Sequence, residues 1–172
     1  MKKNIAYKTA LSAILCALAL SMGFLESLIP PIPFLPPGAK PGFSNVITMF
    51  AAGSLGLPRT LMIVLVKGCF AFVTRGVTAG IMSLSGGILS AIAMFVLLRY
   101  GNKIFGLMGI SVISALCHNT GQLIAAFFIT NTSSIIYYAP ALALFGIATG
   151  TVTGIIFRAV IPASDKLKNF IH

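Results

Sequence analysis

The stretch from Thr9 to Ile29 is apolar over about the length a helix needs to cross a bilayer, roughly 20 residues. Further apolar runs follow at about 43–57, 60–74, 77–98, 104–129 and 139–161. The chain has 172 residues, of which 58% are hydrophobic and only 8% charged, with mean hydropathy +1.02. A soluble domain carries about 25% charged residues. The pattern therefore predicts an all-α integral membrane protein, one domain over 1–172, built as a six-transmembrane-helix bundle. The runs at 43–57 and 60–74 are short for a full span and predict tilted helices or a tight pair through Leu57-Pro58-Arg59. The opening Met1-Lys-Lys before an apolar run has the look of a signal peptide, but its apolar part is too long, so we read it as the first spanning helix.

The formal charge is +10. In a soluble protein this would suggest nucleic acid. Here the cations flank the apolar runs and no basic patch with interleaved aromatics occurs, so nucleic acid is excluded as a partner. Six spans put both termini on one side. With the termini in the cytoplasm, Lys2, Lys3, Lys8, Arg59, Arg99, Lys103, Arg158, Lys166 and Lys168 lie inside, nine of the twelve basic residues. That excess predicts a multi-pass protein of a bacterial plasma membrane with both ends cytoplasmic. It leaves Lys40, Lys67 and Arg75 without a topological explanation.

Lys67 stands in the middle of Leu61-Met-Ile-Val-Leu-Val-Lys67-Gly-Cys-Phe-Ala-Phe-Val73. A cation there costs at least about 2.5 kcal/mol on insertion, and such residues face a bundle interior and mark functional pathways. The chain's only acidic residues are Glu26 and Asp165. Either Glu26 pairs with Lys67, or Lys67 awaits an anion from outside the protein.

The segment 30–42 holds six of the nine prolines together with Ile32, Phe34 and Leu35. Proline fixes φ, so this outer loop is stiff, either a lid or a tight connection. Lys40-Pro-Gly-Phe-Ser44-Asn45 follows. Ser44 or Asn45 can cap the next helix, and the same helix N-terminus, with Lys40 beside it, suits an anion. The fourth run carries Ser83-Leu-Ser85-Gly86-Gly87, either a close helix contact or a ligand surface. The fifth carries His118-Asn119-Thr120-Gly121-Gln122, where His118 and Gln122 share a helical face. Three strongly polar side chains at that depth should point inward. His118 and Glu26 are the only credible metal-ligand pair, and catalytic zinc takes three protein ligands, so no metal or cofactor is expected. Cys16, Cys69 and Cys117 lack ligand spacing and read as small apolar residues. Gly146, Gly150 and Gly154 form a stripe for close packing of the sixth helix, and Ala13 and Ala17 form one on the first that suits a partner.

The run Glu26-Ser-Leu-Ile-Pro-Pro-Ile-Pro33, Pro37-Gly-Ala-Lys40-Pro-Gly-Phe-Ser-Asn45, Ser83-Leu-Ser-Gly-Gly87 and His118-Asn119 with Gln122 resembles the Gx transporter, or heptaprenyl diphosphate synthase component I, family. That family is similar to the S components of energy-coupling factor (ECF) transporters. The resemblance implies a substrate-binding subunit in which Ala13 and Ala17 dock a T component driven by two ATPase subunits. It implies capture of a small anionic, partly apolar solute near the outer side, by Glu26, Lys40, Asn45, Lys67, Arg75, Ser83, Ser85, His118, Asn119 and Gln122. It also implies a second reading, a membrane partner of quinone or isoprenoid metabolism, or of a flavoprotein in electron transfer, that binds a quinone or prenyl diphosphate. The chain has one Asp and no Asp-rich motif, so it is not itself expected to be a prenyl diphosphate synthase.

Overall fold

A computed structural model describes residues 2–30 and 42–161. Lys40, nearly all of the Pro-rich loop and Asp165 lie outside the described residues. The helices are α1 (Lys2–Ser27), α2 (Asn45–Ser54), α3 (Leu57–Arg75), α4 (Val77–Val96), α5 (Asn102–Thr130) and α6 (Ala139–Val160). A π turn over Leu97–Gly101 links α4 to α5, and a 3-10 turn over Ser133–Tyr138 leads into α6. Among the described residues, five stretches are long and apolar enough to cross a membrane: Ile5–Ser27, Leu57–Arg75, Val77–Gly101, Ile104–Thr130 and Ser133–Val160. Large apolar side chains such as Val73, Ile104 and Phe128 point outward, as a lipid-facing surface requires. The chain is an all-helical, multi-pass membrane protein.

The second apolar run behaves differently from the others. α2 has ten residues, about 15 Å of helix, or half the hydrocarbon thickness. It packs against α1, α3, α4 and α6, and Met49, Ala51 and Ala52 are fully buried. Its apolar character reflects enclosure by protein rather than contact with lipid. One cluster joins Met49 and Ala52 to Met94, Ile110 and Phe157. Another joins Ile47, Ala51 and Leu55 to Leu15, Ala19 and Ile63.

Glycines set the close helix contacts. α3 and α4 are joined by the single residue Gly76 at φ 90° and ψ 175°, a conformation that only glycine adopts cheaply. Below that turn the two helices zip together, Phe72 over Gly80, Leu84 over Gly68 and Val64 over Gly87. At the α4–α5 crossing, a Cβ on Gly121 would stand 2.7 Å from the carbonyl oxygen of Ser85. The stripe Gly146, Gly150 and Gly154 lies against Leu116, Val112 and Met108 of α5, so it serves internal packing. α1 is more peripheral: only 22% of its apolar window is buried, against 44% for α4 and α5. Ala13 and Ala17 lie exposed on its outer face.

Candidate functional site

The chain enters the bundle interior at Gly42, which is buried with φ 83°. A Cβ there would stand 3.0 Å from Asn45 Nδ2 and 3.4 Å from the His118 ring. Ser44 and Asn45, also buried, start α2 at this depth. Irregular backbone at membrane depth is tolerated only inside protein or against a cavity. Both conditions hold here.

Ser44 is the junction of the site. Its backbone N–H donates to Glu26 Oε1 at 2.8 Å. Its hydroxyl accepts from Lys67 Nζ at 3.0 Å, and Asn45 Oδ1 accepts from the same ammonium at 3.4 Å. Glu26 and Lys67 thus converge on one residue from α1 and α3. The Ser44 side chain makes no capping bond to α2. The capping role that the sequence offers it falls instead to the Glu26 carboxylate, a favourable anion at the positive end of a helix.

Glu26, Ser44 and Lys67 line a cleft with Arg75, Ser83, His118 and Gln122. The cleft holds about 420 Å³ counted out to its mouth, but its interior free space is about 20 Å³, room for about one water. Lys67 lies eight positions before Arg75, so the ammonium is anchored about 12 Å along α3 from the helix tip. Among the described residues three charged side chains face the space, the cations Lys67 and Arg75 and the carboxylate Glu26. The start of α2 adds the positive end of its dipole.

Several polar atoms here have no hydrogen-bond partner among the described residues. Arg75 Nη1, His118 Nδ1 and Gln122 Oε1 are buried in this condition. Gln122 Nε2 lies 3.0 Å from His118 Nε2. With the amide donating, the ring accepts at Nε2, carries its proton on Nδ1, and leaves Gln122 Oε1 as a free acceptor.

Of the residues expected at one site, Glu26, Lys67, Arg75, Ser83, His118 and Gln122 line the cleft, and Asn45 stands behind it on Lys67. Lys40 lies outside the described residues. Ser85 and Asn119 are directed elsewhere. Ser85 Oγ donates to Gly121 O at 2.9 Å and serves the α4–α5 contact. Asn119 Nδ2 donates to Leu142 O at 2.6 Å and lines a separate recess between α5 and α6. Gly23, Phe70, Ala71 and Ala79 also line the cleft and were not singled out from sequence. Each stands three or four positions from Glu26, Lys67 or Ser83, and helical spacing from those residues is the signal that could have found them.

A family profile described as heptaprenyl diphosphate synthase component I matches residues 15–160. Among curated proteins none matches the sequence. A solved structure described as the S component of a bacterial ECF transporter is similar over 93% of this chain and 96% of that one, with a TM-score of 0.62 and 21% identity. At that identity the likeness is one of fold.

Proposed function

The chain belongs to the heptaprenyl diphosphate synthase component I family, and from that premise we propose that it is the substrate-binding subunit of an ECF-type uptake transporter. In this reading it captures a small anionic, partly apolar solute from the outer side of a bacterial plasma membrane, and both of its termini are cytoplasmic. The observation that carries the reading is Lys67. It is a buried ammonium held by two neutral oxygens, beside Arg75, in a cleft whose cations outnumber its carboxylates among the described residues. A buried charge left short of counter-charge is costly, and an anionic ligand removes that cost.

The partners are a T component and two ATPase subunits, and the exposed Ala13 and Ala17 face of α1 is the docking surface. The aliphatic part of the solute lies against Phe70, Ala71 and Ala79. The chain itself is not catalytic, since its single Asp and single Glu cannot assemble the Asp-rich magnesium site of a prenyl diphosphate synthase.

Native mass spectrometry of the protein purified with the products of its neighbouring genes tests the proposal. T and ATPase subunits with a small anionic ligand support it and give the ligand's mass. A bound quinone, a prenyl diphosphate or a flavoprotein partner replaces it with the redox or isoprenoid reading.

A further inference from the structure

Lys67, Arg75, His118 and Gln122 line the cleft, and Arg75 Nη1, His118 Nδ1 and Gln122 Oε1 are buried with no hydrogen-bond partner among the described residues. Gln122 is 3% exposed, and with its Nε2 donating to His118 Nε2 its Oε1 has no partner among the described residues. A buried acceptor left empty is a standing cost, and a ligand that fills it binds tighter than one that does not. Arg75 Nη1 asks for the opposite, an acceptor, and so does Lys67 once its bonds to Ser44 and Asn45 are shared. Among the described residues the cleft has two cations, Lys67 and Arg75, and one carboxylate, Glu26.

We infer that the site selects an anion that also carries a hydrogen-bond donor on or next to its anionic group, with Lys67 and Arg75 holding the anion and Gln122 Oε1 accepting from the donor. A phosphate that keeps a P–OH meets this description, and so does a carboxylate with a neighbouring hydroxyl. Lys67, Arg75 and Gln122 line one cleft, which places donor and anion on the same part of the ligand. Gln122 is then the residue that decides specificity, whereas Lys67 and Arg75 decide affinity for anions in general. The inference rests on the anion-site reading above.

The test uses the full-length protein in lipid nanodiscs at mildly acidic pH, with two matched pairs of probes. Inorganic phosphate is compared with dimethyl phosphate, a monoanion without a P–OH, and glycolate with acetate, by calorimetry. In at least one pair the donor-bearing anion should bind between about fivefold and a hundredfold tighter. Gln122→Met should remove that difference while both anions of the pair still bind. Preference within the phosphate pair identifies a phosphate group, and within the glycolate pair a hydroxy acid. Equal binding within both pairs, or a preference that survives Gln122→Met, overturns the inference and leaves the anion site standing. If Gln122→Met does not fold, the wild-type comparison alone decides. Binding of none of the four anions, or binding unchanged by Lys67→Met, overturns both the inference and the reading beneath it.

Discussion

Replacing Lys67 with Met removes the charge that the cleft is built around and keeps most of the side chain's volume. In the folded protein Lys67 is 6% exposed, and its ammonium makes one bond to Ser44 Oγ and one to Asn45 Oδ1. Two effects on stability oppose each other. The bonds to the ammonium are worth about 1.5–3 kcal/mol each. Burying the ammonium costs several kcal/mol. The difference leaves Lys67→Met within about 2 kcal/mol of the parent. Ligand binding has no such compensation. An anion about 4 Å from the ammonium gains about 4 kcal/mol at an effective dielectric near 20. Removing one partner of a buried charge pair costs about 2–5 kcal/mol, so affinity should fall roughly thirtyfold to a few thousandfold. The chain has no Trp, so unfolding is followed by size-exclusion after heating, and binding by ligand retained in native mass spectra. A variant that folds and retains its anion at the parent's affinity would refute the assignment of Lys67 to an anion site.

Glu26→Gln keeps an oxygen for the Ser44 N–H but makes the cleft more positive by one charge. It should shift preference toward doubly charged anions, measured by competition between sulfate and acetate. A loss of about 3–5 kcal/mol in stability with no change in anion preference would instead mark a purely structural charge pair. Gly121→Ala places a methyl group 2.7 Å from the Ser85 carbonyl, where backbone cannot yield, and should cost about 1–3 kcal/mol. Because that methyl would also meet Gly86, which packs against Gln122 and His118 of the cleft, anion binding should weaken along with the melting temperature. Ala13→Leu with Ala17→Leu should leave the isolated subunit's melting and ligand affinity unchanged, since both positions are exposed. Pull-down of the T component should fail, and pull-down at parent level would place the docking face elsewhere.

The long spans were legible because lipid allows little choice: apolar runs of sufficient length form helices, as at α1, α4, α5 and α6. Lys67 was legible for the same reason, since its cost depends on depth alone. His118 and Gln122 were legible as a pair because four residues along a helix return to the same face. The difference between lipid and protein as surroundings was not legible. α2 is as apolar as a spanning helix, yet it is a buried half-length element, because an apolar side chain is satisfied equally by either environment. Neighbouring polar residues were not separable either. Ser83 and Ser85, or His118 and Asn119, differ by rotations about a helix axis, and only the packing of α4, α5 and α6 determines which of them meets the cleft. Ser44 shows the limit most clearly. From sequence its hydroxyl is a helix cap, but its partners, Glu26 and Lys67, are 18 and 23 residues away, and the bundle alone brings them together.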